Sequence, residues 1–126
     1  MEKQGLRVLV VDDEEMIVRL MRGFLEDAGF VVRTATTGED ALRILGDERI
    51  DAAIVDVRLP DMAGDEVVLT GCRLQHHTQF FMHTGAIDYV PPPELLAAGI
   101  DDECVIHKPV LDMAEIRLLI EKKVKG

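Results

Sequence analysis

No stretch of the 126-residue sequence stays apolar for long. The longest uninterrupted runs, such as Val8 to Val11, fall far short of the roughly 18 residues that span a bilayer, and Met1-Glu2-Lys3-Gln4 has no apolar segment of a signal peptide. A cytoplasmic protein without a membrane segment is the expectation. Cysteine is also sparse. Cys72 and Cys104 form no CxxC pair and lie in apolar segments, which favours buried reduced thiols over a disulfide or a metal site. Basic charge is in deficit, with 14 Lys and Arg against 24 Asp and Glu and a formal net charge of −10. That balance repels phosphate backbones and anionic lipid, and it excludes direct nucleic-acid or membrane binding as the first reading. Low-complexity and long polar segments are missing too, so a chain of this length is expected to form one core.

What is present is a regular alternation. Leu6 to Val11 is apolar except for Arg7, as expected for a strand covered on both faces. From Glu14 to Ala28, Met16, Ile17, Leu20, Met21, Phe24, Leu25 and Ala28 recur at the spacing of one helical face, and Gly29 supplies a stop. Phe30 to Ala35 and Thr37 to Leu45 repeat the unit, with Thr36 and Glu39 as a capping box and Gly46 as the end. Asp51 to Asp56 is a third strand, followed by a loop and a modest helix over Asp65 to Leu74. Gln79 to Thr84 is the fourth strand. Pro91-Pro92-Pro93 reads as a stiff entry to a short helix ending at Gly99 rather than as a docking segment. Cys104 to His107 and a helix from Asp112 to about Val124, capped by Asp112 and Glu115, form the last unit.

Five such units with short connections predict an open, doubly wound α/β sandwich with a parallel sheet, too small for a (β/α)₈ barrel. In a flavodoxin-like (βα)5 fold of order 2-1-3-4-5, ligands bind beyond the C-terminal ends of the strands. Those ends carry Asp12 and Asp13 after the first strand, Asp56 at the third, Thr84 at the fourth and Lys108 after the fifth. Two carboxylates about 4 Å apart repel by roughly 4 kcal/mol at an effective dielectric near 20, so three together call for protons or a cation. All-oxygen ligands favour Mg²⁺, with Mn²⁺ or Ca²⁺ as alternatives and zinc not indicated. A carboxylate can attack phosphorus to give an aspartyl phosphate. Asp56 stands alone at its strand end and is the candidate nucleophile, whereas adjacent Asp12 and Asp13 are better placed as metal ligands and Thr84 and Lys108 as partners of phosphoryl oxygens.

Val10-Val11-Asp12-Asp13-Glu14, Val55-Asp56-Val57-Arg58-Leu59-Pro60-Asp61-Met62 with Gly64, His83-Thr84-Gly85 and Lys108-Pro109 together resemble the receiver domain of two-component response regulators. The resemblance covers essentially the whole chain and implies a single receiver over 1–126 with no output domain in the chain. It implies Asp56 as phosphoacceptor, Asp13 as a direct Mg²⁺ ligand, Asp12 as one acting mainly through water, and the Arg58 backbone carbonyl as another, with Mn²⁺ as a substitute ion. Thr84 and Lys108 are implied to close on the phosphoryl group. A sensor histidine kinase or phosphotransfer protein is the implied donor. An effector on the face of the fourth and fifth units, from Gly85 to about Val124, is the implied receiver of the signal, and a homodimer is left open. The chain is then a signalling phosphoacceptor and not an enzyme acting on other substrates.

Departures from that pattern are specific. The position three before Lys108, often Tyr or Phe in the family, is Val105. Tyr89, the only tyrosine, reads as an ordinary exposed loop residue, with a comparable switching part as the alternative. Arg58 and Ala86 match places where the family varies side chains that admit or exclude water. His76 and His77 are expected in a solvated loop, and His83 and His107 to point away from the cleft because strand side chains alternate. Two rivals remain: an interaction module that works without phosphorylation, and a phosphatase of the haloacid dehalogenase type. The latter needs a second Asp two residues after the nucleophile, where this chain has Arg58.

Overall fold

The computed structural model describes residues 5–110 and 112–124. Met1 to Gln4, Leu111, Lys125 and Gly126, including the segment read as lacking a signal peptide, lie outside the described residues. The strands are β1 (Arg7–Val11), β2 (Val31–Ala35), β3 (Ala52–Asp56), β4 (Gln79–Thr84) and β5 (Val105–His107), and the helices are α1 (Glu15–Asp27), α2 (Gly38–Asp47), α3 (Gly64–Leu74), α4 (Pro93–Ala97) and α5 (Ala114–Lys123). All strand pairings are parallel and the order is β2-β1-β3-β4-β5, as expected from the sequence. The central strands owe this position to composition. Every residue of β3 is buried, as are Val8 to Val11 of β1, because helices cover both faces. Burying the Phe80, Phe81, Ile54 and Leu9 side chains contributes roughly 1.5 to 3 kcal/mol each before ordering costs. Among the described residues no helix is long and apolar enough to cross a membrane.

Several element ends differ from the sequence reading. Helix α5 starts at Ala114 rather than Asp112, with Met113 at its N-cap and no capping box: Asp112 Oδ1 accepts the Ala114 N–H at 3.0 Å in the turn before the helix. The capping Thr of α2 is Thr37, not Thr36: its Oγ1 accepts the Asp40 N–H at 3.1 Å. The neighbouring amides of Gly38 and Glu39 donate to the Asp61 carboxylate at 2.8 and 2.9 Å, so a residue from the loop after β3 completes the cap. With that end fixed, α2 runs through Gly46 to Asp47, and the expected stop does not act. Cys104 closes a 3-10 turn over Asp102–Cys104 and β5 starts one residue later. Helix α4 ends as expected, with Gly99 at φ +90°. Cys72 and Cys104 are free thiols, half-buried and buried.

Candidate metal and phosphoryl pocket

The sheet register assembles the pocket. Val11 pairs with Val55 and Asp56 with His83, so Asp12, Asp56 and Thr84 leave adjacent strands at nearly the same level, and Lys108 follows His107, which pairs with Thr84. Asp12, Asp13 and Asp56 each present a carboxylate oxygen, and these lie within 4.8 Å of one another. Asp12 and Asp56 are buried and Asp13 is exposed, so the cluster has two fixed members and one at the mouth. A cavity of about 470 Å³ opens above them, lined by Asp13, Glu14, Asp56, Arg58, Thr84, Gly85, Ala86 and Lys108.

Lys108 is the cation that pairs with these carboxylates. Its Nζ lies 3.1 Å from Asp56 Oδ2, 3.1 Å from Asp12 Oδ2 and 3.2 Å from Glu14 Oε1. Burial pulls its pKa down, but the hydrogen bonds and charges of Asp56 and Asp12 outweigh it and hold the ammonium above the usual lysine range. Asp12 moves upward from the usual aspartate value. Burial is the main cause and the Asp56 charge adds to it, while the Glu14 N–H and Lys108 oppose. The bond from Lys108 to Pro109 is cis.

The remaining oxygens are held by local backbone. Asp12 Oδ1 accepts the Glu14 N–H at 2.9 Å, Asp56 Oδ1 accepts the Arg58 N–H at 3.1 Å, and Thr84 Oγ1 accepts the Ala86 N–H at 3.0 Å. Behind Asp56, Gly64 packs so closely that a Cβ there would collide with the Asp56 carbonyl oxygen, and its N–H donates to the Val57 carbonyl at 2.7 Å. Only glycine lets α3 begin against the end of β3.

A divalent cation fits this donor set. Four carboxylates, those of Asp12, Asp13, Asp56 and the more exposed Glu14, outnumber the Lys108 ammonium and the Arg58 guanidinium at the rim, which leaves the pocket anionic, and Asp12 Oδ2 is buried with an ion pair to Lys108 but no aligned hydrogen bond. All donors are oxygens, the chemistry of a hard ion.

All of the side chains expected from the sequence meet here: Asp12, Asp13, Asp56, Thr84 and Lys108, with Arg58 at the rim. Glu14 was not foreseen as a partner of Lys108. His83 faces away from the cavity as its alternation requires, yet it is not remote from the site: buried under the sheet end, it puts Nδ1 3.8 Å from Asp12 Oδ2. Its pKa is lowered to about 4, by burial first and Lys108 second, against the pull of Asp12. Tyr89 departs from its reading as an exposed residue. It is half-buried, and its hydroxyl donates to Asp65 Oδ1 at 2.7 Å, tying the loop after β4 to α3. Burial and the Asp65 carboxylate push its pKa above the tyrosine range.

Fold and pocket together define an open α/β domain with a carboxylate-lined switch-point crevice built to hold charge. The family model for the response regulator receiver domain matches residues 8–121. Response regulator SaeR of Staphylococcus epidermidis is 32% identical over an alignment of 100 residues that covers 68% of this chain and 43% of that protein. This chain therefore spans less than half the length of the curated relatives it matches. A CheY-like receiver domain protein from Methanospirillum hungatei superposes with a TM-score of 0.86 at 30% identity, over 95% of this chain and 94% of that one. TrrA of Thermotoga maritima, solved in complex with Mg(2+)-BeF, gives 0.81 at 26% identity, over 93% and 97%. The chain belongs to the response regulator receiver domains.

Proposed function

We propose that Asp56 accepts a phosphoryl group and that the domain works as a phosphorylation-controlled switch in the cytoplasm. The observation that carries this reading is the position of the Asp56 carboxylate: at a strand end, 3.1 Å from Lys108 Nζ, and within 4.8 Å of the Asp12 and Asp13 carboxylates. The donor is a phosphohistidine on a sensor kinase or phosphotransfer protein. An Asp56 carboxylate oxygen attacks phosphorus, the phosphorus–nitrogen bond breaks, and its electron pair returns to the donor imidazole, which takes up a proton. Asp12, Asp13, Asp56 and the Arg58 carbonyl are the groups that would hold Mg²⁺. When bound, the ion supplies charge neutralisation for the transferring phosphoryl oxygens.

Lys108 and Thr84 then have separate tasks. The ammonium pairs with the added negative charge, and the Thr84 hydroxyl offers it a hydrogen bond. Arg58 lines the exposed rim, where a side chain of its length would limit the access of water. The effector reads the change on the face of the fourth and fifth strand-helix units. Incubation with Mg²⁺ and acetyl phosphate, or with a phosphorylated kinase, should add the mass of one phosphoryl group to the intact protein and none to Asp56→Asn. A protein that stays unmodified with a competent donor and Mg²⁺ would overturn the proposal and leave an interaction module.

A further inference from the structure

A cavity of about 530 Å³ lies at the opposite end of β4 from the phosphoryl pocket, where α3 runs out and the strand begins. Cys72 of α3 and the loop residues His76 and His77 line it together, and Gly99 after α4 and Lys123 of α5 are among its other lining residues. The loop is exposed, as its sequence predicts, but the cavity gives its two imidazoles a thiol to share.

All three side chains are uncommitted. Among the described residues no hydrogen bond or ion pair engages the Cys72 thiol or either imidazole, in contrast to Cys104, whose sulfur accepts the Gln79 side-chain amide at 3.5 Å. One thiol with two imidazoles is a borderline-soft donor set, the chemistry of Zn²⁺ and its first-row neighbours and not of Mg²⁺. The electrostatics agree. Helices α3 and α5 both end at this cavity, and helix C-termini carry partial negative charge, which favours a cation. Lys123, the only Lys or Arg among the lining residues, is already paired with Glu103.

We propose that Cys72, His76 and His77 bind one borderline first-row ion, of the Zn²⁺ class, as a thiolate and two neutral imidazoles, with water completing a tetrahedral shell. The Cys72 S–H bond gives way to a sulfur–metal bond and the proton passes to solvent, while each imidazole supplies a nitrogen lone pair. The donors are not drawn together in advance: among the described residues only Asp12, Asp13 and Asp56 hold their ligand atoms within 4.8 Å of one another. The ion therefore assembles its own site, and the loop permits it. His76 and His77 sit exposed in a bend with no hydrogen bond to break, so the cost is chiefly side-chain rotamer freedom. The bound ion fastens the loop between α3 and β4 to the last turn of α3.

The test is a titration of the metal-free full chain with Co²⁺ followed by absorption, because a thiolate ligand gives a sulfur-to-cobalt charge-transfer band that the all-oxygen pocket cannot. Its failure leaves the phosphoacceptor proposal untouched for the same reason. The band should saturate at one ion per chain and be displaced by Zn²⁺ but not by Mg²⁺. Cys72→Ser should abolish it. His76→Gln and His77→Gln, both at exposed positions, should each weaken Co²⁺ binding about tenfold or more, since losing even a supporting partner of a ligand costs that much. Should Cys72→Ser not fold, these two variants decide. Absence of the band overturns the proposal. So do a band that survives Cys72→Ser, displacement by Mg²⁺, affinity unchanged in both histidine variants, or saturation at half an ion per chain, which would mean an ion shared between two molecules.

Discussion

Replacing His83 by phenylalanine, which keeps a ring of similar size and removes both nitrogens, should flatten the acid side of the stability curve. The folded protein holds this imidazole at a pKa of about 4, down from 6.5, through burial first and the Lys108 charge second. In the window between those values the unfolded chain binds more protons than the folded one. The contribution of His83 is therefore complete above 6.5, is lost as pH falls toward 4, and changes no further below that. Worked through the linkage relation, wild type should lose about 2 kcal/mol more than His83→Phe between about pH 7 and about pH 5. Urea unfolding in metal-free buffer at both pH values measures it. Packing changes caused by the new ring, and every other titrating group, cancel in the double difference. If both proteins lose the same stability, the imidazole is not held neutral in the fold and the reasoning fails.

Proton and metal compete for Asp12, whose pKa lies above its ordinary 3.8 mainly because of burial, so Mg²⁺ affinity should start to fall at a higher pH than for an exposed aspartate. Calorimetric titrations at descending pH would show this, and an affinity flat down to the ordinary aspartate range would contradict it. Gly64→Ala forces a Cβ against the Asp56 carbonyl oxygen and should cost roughly 1 to 3 kcal/mol. Gly46→Ala, in open space within α2, should instead stabilise by about 0.5 to 1 kcal/mol. Chemical denaturation of the pair separates close approach from helix propensity. Tyr89→Phe removes the 2.7 Å bond to Asp65 and should cost about 1 kcal/mol while accelerating amide exchange in the loop after β4. Unchanged exchange would mean that this bond does not restrain the loop.

The sheet and the pocket were legible because both depend on short-range signals. Strands buried on both faces read as continuous apolar runs, and the polar residues that end them fall at the same rim once the order 2-1-3-4-5 is assumed. What the sequence could not yield were contacts set by distances between layers. Asp61 reaches the first amides of α2 from another unit, which moved the cap from Thr36 to Thr37, and both threonines satisfy the local rule. Buried Gln75 donates to the carbonyls of Leu45 and Glu48 and accepts the Ile50 N–H at 2.9 Å, a network with no motif to announce it. Alternation correctly turned His83 away from the cavity. It did not reveal that the buried Asp12 carboxylate reaches the same face. A histidine immediately before the strand-end Thr84, inside the apolar run Phe80 to Met82, was the available signal.

The two sides of the pocket are restrained unequally, and this bears on how a switch would work. On the β1 and β3 side, Asp12 and Asp56 each hold a backbone amide two residues on, Gly64 locks α3 against β3, and Asp61 fastens the same loop to α2. On the other side, residues 85–88 are exposed, α4 has five residues and β5 three. A charge added at Asp56 would therefore meet a hydrogen-bonded wall on one side and an exposed, less bonded one on the other. Thr84 links the less bonded parts: its Oγ1 accepts the Ala86 N–H at 3.0 Å and its carbonyl accepts the Lys108 N–H at 2.8 Å, so a shift of Thr84 draws the loop after β4 and the end of β5 together. With Val105 in place of an aromatic, the link from that loop to the next layer is the hydroxyl of Tyr89 on Asp65 of α3. Motion begun at Thr84 would thereby reach α3 through Tyr89 as well as β5 through Lys108.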